Sequence, residues 1–138
     1  MIIDAKNAVV GRVATVAAKQ ALLGEQVIVV NCKDAVVSGK KQFLFKAQER
    51  KQSMGQMRKG PFHPRTSERF VKRIIRGMLP HHQPRGYEVL HRIKCYSTVP
   101  ESLQGKETVT LSGADASKLT KVGYIKVQDI IKHVGGKI

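Results

Sequence analysis

Residues 2–30 read IIDAKNAVVGRVATVAAKQALLGEQVIVV, and this stretch decides the fold. Ile2-Ile3 and Val27-Ile28-Val29-Val30 are apolar runs without polar alternation, which is typical of strands buried on both faces. Between them, Gly11 to Leu23 has a helical composition with a narrow polar stripe, and Gly24 can end this helix as its C′ residue. Strand, helix and strand at this spacing predict a βαβ unit, and therefore a parallel sheet with a right-handed crossover.

The rest of the chain repeats this alternation of apolar strands and helices. The predicted elements are a strand at 35–37, a helix from about 38 to 52, a helix that begins at Pro84, a strand at 93–96, a strand at 108–111 and a closing helix at 126–134. With 138 residues, of which 41% are hydrophobic, the chain is long enough to form one α/β domain spanning 1–138.

The charge balance points to a polyanionic partner. The formal charge is +15, from 25 Lys and Arg against 10 Asp and Glu, so the free protein repels itself and a polyanion would relieve that repulsion. A membrane surface is the rival to nucleic acid. The chain has no Trp, no apolar run long enough to span a bilayer and no lipidation signal, so nucleic acid is favoured.

The positive charge is concentrated between Arg50 and Arg76, where nine Lys and Arg stand against one acid, Glu68. Four of these cations repeat at i, i+3, i+4 and i+7 and would share one helix face: Arg69, Lys72, Arg73 and Arg76. The opposite face is apolar: Phe70, Val71, Ile74, Ile75, Met78 and Leu79. Thr66 or Ser67 is predicted to cap this basic helix and Pro80 to end it.

A segment rich in turn-forming residues precedes the basic helix. Residues 53–65, which we call the arm, contain Gly55, Gly60, Pro61 and Pro64 and little hydrophobic periodicity. We predict an irregular arm that orders only on binding, so that arm and helix form a basic extension of the domain at about 53–80.

The residue types in this extension favour RNA recognition through phosphates and shape. Arginine outnumbers lysine on the predicted helix, and its planar guanidinium can bridge two phosphate oxygens or stack on a base. Aromatic residues are 5% of the chain, and only Phe62 and Tyr87 flank the charges. We therefore expect contacts to the RNA backbone to dominate over base stacking.

Catalytic, cofactor and metal sites find less support in the sequence. The glycine-rich nucleotide fingerprints are absent, and Ser38-Gly39-Lys40-Lys41 resembles only a fragment of one. The histidines lack metal-ligand spacing: His63, His81, His82, His91 and His133. Glu68 and Glu88 form no cluster in sequence, although Asp4, Asp34 and Asp115 could converge in space. A nucleic-acid-processing enzyme therefore stays open as an alternative, as does a DNA-binding regulator whose basic helix enters a major groove.

The two cysteines indicate a reducing cellular compartment. Cys32 and Cys95 lie far apart in apolar surroundings, and we predict that both are buried free thiols. No signal peptide precedes Met1-Ile2-Ile3-Asp4, and both observations fit a reducing cytoplasm.

The most specific motifs lie in the middle of the chain. They are Ile75-Arg76-Gly77-Met78-Leu79-Pro80, Pro84-Arg85-Gly86 and the run 93–96. In order, these motifs closely resemble the central signature of the universal large-subunit ribosomal protein L-thirteen family. The N-terminal half agrees through Ile3-Asp4-Ala5, Gly11-Arg12-Val13-Ala14, the run 27–31 and Ser38-Gly39. The resemblance covers at least residues 2–96. Gly60-Pro61-Phe62-His63 resembles the archaeal and eukaryotic branch, and without the long basic tail of eukaryotic members an archaeal source is expected.

The resemblance carries expectations about fold, partners and site. It implies a three-layer α/β/α domain around a mostly parallel four-stranded sheet. It also implies a structural role without a catalytic site or cofactor: binding of large-subunit rRNA beside neighbouring ribosomal proteins, and support of subunit assembly. The candidate RNA-binding residues are Arg12, Lys40, Lys41, Arg50, Lys51, Arg58, Lys59, Arg65, Arg69, Lys72, Arg73, Arg76 and Arg85. His81 and His82 depart from the lysines that the family often carries, so no permanent phosphate contact is expected there.

Overall fold

The computed structural model describes residues 1–120 and 123–136, and its elements lie close to the predicted bounds. The strands are β1 (Ile2–Asp4), β2 (Val27–Val30), β3 (Val36–Ser38), β4 (Ile93–Cys95), β5 (Val109–Thr110) and β6 (Tyr124–Lys126). The helices are α1 (Val10–Leu22), α2 (Lys41–Ser53), α3 (Ser67–Gly77), α4 (Pro84–His91) and α5 (Val127–His133). The sequence pattern did not predict β6, because its three residues directly precede α5 and carry no recognisable alternation.

A parallel four-stranded sheet lies at the centre of the fold, in the order β4-β2-β1-β5, which confirms the predicted α/β architecture. The predicted βαβ unit is present, since β1 and β2 are parallel neighbours with Ile3 opposite Val29. The steps from β1 to β2 to β4 run in one direction across the sheet, so right-handed crossovers place α1, α3 and α4 on the same face. The packing of α1 against α3 agrees with this placement. Strands β3 and β6 form a separate antiparallel pair.

The core is built mainly from valine, isoleucine and alanine. The buried face of α1 consists of Val10, Val13, Ala14, Ala17, Ala18 and Ala21. These small residues let α3 pack closely, and α3 contributes Val71 and Ile75, which are 1% and 0% exposed. Burying an aliphatic side chain of this size stabilises the fold by about 1.5–3 kcal/mol. The apolar face of α3 therefore fixes how this helix sits on the domain.

Helix α3 ends before Pro80, the residue that was predicted to end it. Its last residue is Gly77, and the backbone N–H of Met78 donates to Ile75 O, which tightens the final turn. Met78 is consequently 43% exposed and does not belong to the buried face, whereas Leu79 is buried as predicted.

The thiols of Cys32 and Cys95 meet at the carboxyl ends of β2 and β4. Both are free; Cys32 is buried as predicted, whereas Cys95 is half-buried. Their mutual hydrogen bond, followed by burial, raises the pKa of Cys32. The same hydrogen bond lowers the pKa of Cys95. The Cys32 Sγ also donates to Val29 O at 3.7 Å.

The last described helix packs back against α2 and the arm. The imidazole of His133 stacks on the ring of Phe45 at 4.0 Å between centroids, and its Nε2 lies 2.6 Å from Glu49 Oε1. Gly136 lies directly against the backbone carbonyl of Arg65. The middle of α2 and the last residue of the arm are therefore held by His133 and Gly136, which follow them in the sequence by about seventy or more positions.

A close approach of α4 to the turn that follows α3 requires a glycine. Gly86 is buried in α4, and a methyl group there would overlap the backbone carbonyl of Pro80. Gly77 carries no such constraint, because nothing lies near the position that its Cβ would take. The two glycines of the central motifs are therefore predicted to differ in their need for a bare Cα.

We expect Gly86→Ala to lower the free energy of unfolding by about 1–3 kcal/mol, since the methyl group must displace a backbone segment. Gly77→Ala is the matched control and should be neutral or stabilise the protein by up to about 1 kcal/mol. Urea denaturation followed by circular dichroism measures both. Equal stabilities of the two variants would contradict the packing described for Gly86.

Candidate nucleic-acid interface

Helix α3 and the arm together enclose an open groove of about 520 Å³, which we call the arginine groove. Its lining residues are Phe62, His63, Pro64 and Arg65 from the arm, Arg69, Lys72, Arg73 and Arg76 from α3, and Leu90 from α4. The structure thus brings the four cations predicted on one helix face into a single concave surface. It adds an apolar wall that the sequence pattern did not predict, because that wall depends on how the arm folds over the helix.

Two of the four α3 cations also donate hydrogen bonds to backbone carbonyls of the protein. Lys72 Nζ donates to Ile93 O at 2.8 Å, and Arg73 Nη1 donates to Phe62 O at 3.3 Å. Both side chains are half-buried. An ammonium carries three N–H donors and a guanidinium five, so each keeps donors for a ligand. Arg73 accordingly ties the arm to α3 while it remains part of the groove.

Arg69 and Arg76 are the two exposed cations that α3 contributes to the groove, and Arg65 of the arm is exposed beside them. The two α3 arginines lie seven residues apart, which is about 10 Å along the helix axis. Among the described residues the ion pairs are Lys126 with Asp34 and His133 with Glu49, so no carboxylate neutralises either arginine there. Within the part of the chain that the structure describes, their positive charge is therefore presented to solvent without a paired carboxylate.

The arm leaves α2 after Ser53 and continues without helix or strand up to α3. Gln56 and Gly60 form an antiparallel bridge, and the N–H of Lys59 donates to Gln56 O at 3.2 Å. This turn presents Met57, Arg58 and Lys59, and the Met57 side chain is 91% exposed. That the arm orders only on binding stays a prediction.

The remaining predicted cations lie on two other parts of the surface. Lys40 and Lys41 are exposed at the start of α2, and Arg50 and Lys51 are exposed near its end, close to the arm. A helix of this length separates the two pairs by about 15 Å. Lys51 of the second pair adjoins the arginine groove, since it lines a neighbouring pocket together with His63, Pro64 and Arg73.

Arg12 and Arg85 lie outside the arginine groove. Arg12 Nη1 donates to Gly113 O at 2.8 Å, beside a pocket that includes Thr15. Arg85 and Lys19 line a neighbouring pocket that also includes Thr15. The predicted polar stripe of α1 thus forms a second basic face, and Arg85 from α4 extends it.

The electrostatics of the groove act most clearly on His63. Partial burial lowers the pKa of this imidazole below its ordinary value of 6.5, and the nearby positive charges of Arg73 and Lys51 lower it further. Near neutral pH the ring is therefore uncharged, with one nitrogen donating and the other accepting.

The carboxylates that could have converged on a catalytic site have structural partners. Asp4 Oδ1 accepts from Asn31 Nδ2 at 2.9 Å, and Asp115 Oδ1 accepts from the Ser117 N–H at 3.0 Å. Within residues 1–120 and 123–136, no three His, Cys, Asp or Glu side chains are arranged to hold a metal ion. In the same part of the chain, no helix combines the length and apolar character that crossing a membrane requires.

Comparisons with known proteins agree with the resemblance found in the central motifs. A family model described as Ribosomal protein L13 matches residues 1–102. The chain is 37% identical over 136 residues to the large ribosomal subunit protein uL13 of Methanococcoides burtonii, covering 99% of this chain and 98% of that one. It is 36% identical to the proteins of the same name from Methanosarcina barkeri, at 99% and 98% coverage, and from Thermoplasma volcanium, at 98% and 98%.

We expect His63 to titrate below pH 6.5 in the free protein, since partial burial and then the charges of Arg73 and Lys51 disfavour its protonated form. Lys51→Gln should raise that pKa because it removes one of the charges, whereas Lys46→Gln, an exposed change elsewhere on α2, should leave it unchanged. A pH titration of the histidine ring resonances by NMR measures all three proteins. A wild-type His63 that titrates at or above 6.5 would contradict the partial burial and the positive surroundings described for this ring.

Proposed function

Because the chain belongs to the ribosomal protein L13 family, we propose that it is a structural constituent of the large ribosomal subunit, where it binds large-subunit rRNA and supports assembly. The observation that carries this proposal is the near-complete coverage of relatives named for that subunit. Its partners are then the 23S-type rRNA and neighbouring ribosomal proteins, and its place is the cytoplasmic ribosome. The relatives named above are archaeal, in line with the expected archaeal source.

The arginine groove is the proposed primary contact with rRNA. Arg69 and Arg76 would each take a different phosphate, and Arg73 and Lys72 would add their spare N–H donors. Arg65 lines the same groove. Because these groups carry no paired carboxylate among the described residues, phosphates can bind them without first displacing an acid.

The other candidate cations extend this surface in two directions. Arg50 and Lys51 at the end of α2, with Arg58 and Lys59 on the arm, continue it from the groove, and Lys40 and Lys41 extend it along α2. Arg12 and Arg85 would meet a second rRNA segment on the face of α1. The whole chain would then act as one domain that connects separate RNA segments.

The family match decides between this proposal and the two alternatives left open by the sequence. The L13 family is a structural, non-enzymatic class of ribosomal proteins, so a nucleic-acid-processing enzyme is set aside. A DNA-binding regulator is set aside on the same ground. No observation in the structure favours a second function.

Subunit membership is tested by sedimentation of a native lysate after a high-salt wash. We expect the chain to co-sediment with the large subunit in equal proportion to it, because the close packing of a folded interface holds the chain when salt weakens its phosphate contacts. Mass spectrometry of the gradient fractions measures the proportion. Release of the chain to the top fractions would contradict an integral role.

Removing the two exposed groove charges of α3 tests the proposed surface. We expect the double variant Arg69→Gln, Arg76→Gln to bind protein-free large-subunit rRNA about ten- to a hundred-fold more weakly at 0.1 M salt, with a salt slope smaller by about 1.5. The variant Lys106→Gln, Lys118→Gln is the matched control, since it removes the same charge from exposed sites outside the groove. Equal binding by the two double variants would show that total charge, and not the groove, determines affinity.

A further inference from the structure

We propose that the arginine groove holds a single unpaired nucleotide of its RNA, with the base stacked on the ring of Phe62 and the flanking phosphates on Arg69 and Arg76. This inference rests on the proposed rRNA binding and adds the kind of RNA feature that the groove accepts. It also revises the expectation from composition that base stacking contributes little.

The lining of the groove carries the argument, because its walls are mixed in character. Phe62, Pro64 and Leu90 give it apolar surface, beside the guanidinium groups of α3. Phosphates alone need donors and positive charge, and they gain nothing from an apolar wall. A nucleotide has both a charged backbone and a flat base with apolar faces, so it matches both kinds of surface in the groove.

Phe62 is exposed but held in place. Its side chain is 76% exposed, yet its backbone carbonyl accepts from Arg73 Nη1 at 3.3 Å. Gly60 lies against the ring: a Cβ at that position would come within 3.1 Å of it, and the φ of Gly60 is +82°. The aromatic face is thus presented by a backbone segment that is hydrogen-bonded to α3.

The size and shape of the groove favour an extruded base over paired RNA. About 520 Å³ lies within the range of roughly 300–1,000 Å³ that small ligands occupy in proteins. In an A-form helix the bases are stacked inside, and only their edges reach the grooves. A base that has left the stack is the part of an RNA that can offer a flat face to Phe62.

His63 supplies polar contacts beside this apolar wall. Its neutral imidazole lines the groove next to Phe62 and offers one donor and one acceptor nitrogen. A base edge carries donors and acceptors of its own. The groove therefore combines stacking, phosphate binding and hydrogen bonding on adjacent residues.

The other exposed aromatic rings of the described residues, Phe43, Tyr87 and Tyr124, do not line the groove. Phe43 is 70% exposed on α2 but does not line the groove. Tyr87 is 61% exposed and already makes an edge contact with His91 at 4.5 Å between centroids. Phe43 therefore serves as a matched control for the loss of an exposed phenyl ring.

The test compares Phe62→Ala, Phe62→Trp and Phe43→Ala for binding to protein-free large-subunit rRNA at several salt concentrations. We expect Phe62→Ala to bind about ten-fold more weakly than the wild type, because it loses the stacking of one base. Its salt slope should not change, because no phosphate contact is removed. Phe62→Trp should bind at least as tightly as the wild type, and Phe43→Ala should bind equally well. Both alanine changes remove exposed rings, and thermal unfolding checks that all variants are folded.

Chemical probing of the rRNA bases identifies the nucleotide. We expect one unpaired base to be protected by the wild type and by Phe43→Ala, and to become reactive again with Phe62→Ala. Wild-type affinity of Phe62→Ala, or an unchanged protection pattern, would overturn the stacking proposal. The groove charge variant separates this failure from that of the proposed function: if Arg69→Gln, Arg76→Gln still weakens binding, only the stacked base is refuted.

Discussion

The burial of one face of α3 is the constraint on which both the fold and the binding surface depend. Val71 and Ile75 are buried against α1, and with those residues inside, the helical repeat turns Arg69 and Arg76 outward. Two charges about 10 Å apart in water repel by only about 0.4 kcal/mol, and salt reduces this further. One buried aliphatic side chain contributes about 1.5–3 kcal/mol. Apolar burial therefore outweighs the repulsion and keeps the cations together without RNA.

Lys72, a half-buried cation of α3, connects the binding surface to the edge of the sheet. Strand β4 lies at the edge of the sheet. Its hydrogen bonds to β2 involve Arg92 O and the Tyr96 N–H. The carbonyl of Ile93 therefore faces the free edge. Lys72 donates to this carbonyl. A lysine on an exposed edge discourages pairing with another strand. A single residue of α3 thus contributes to the groove and also covers an unpaired backbone group.

Periodicity in the sequence predicted the elements whose burial is regular. The continuous β-branched run of β2 indicated a strand covered on both faces, and the spacing of Val71 and Ile75 indicated the buried side of α3. Patterns of this kind do not carry information about contacts between distant segments. For that reason the bond from Lys72 to Ile93, and the placement of Arg12 on a different face from the groove, could be learned only from the structure.

The packing of α5 against α2 and the arm has a consequence for the order of events during translation. A ribosome delivers Phe45 and the arm long before His133 and Gly136 leave the exit tunnel. Until those residues arrive, the supports on which α2 and Arg65 rest are missing. A nascent chain therefore carries its cations before it carries the finished surface, and RNA selection by shape becomes possible only once α5 has left the exit tunnel.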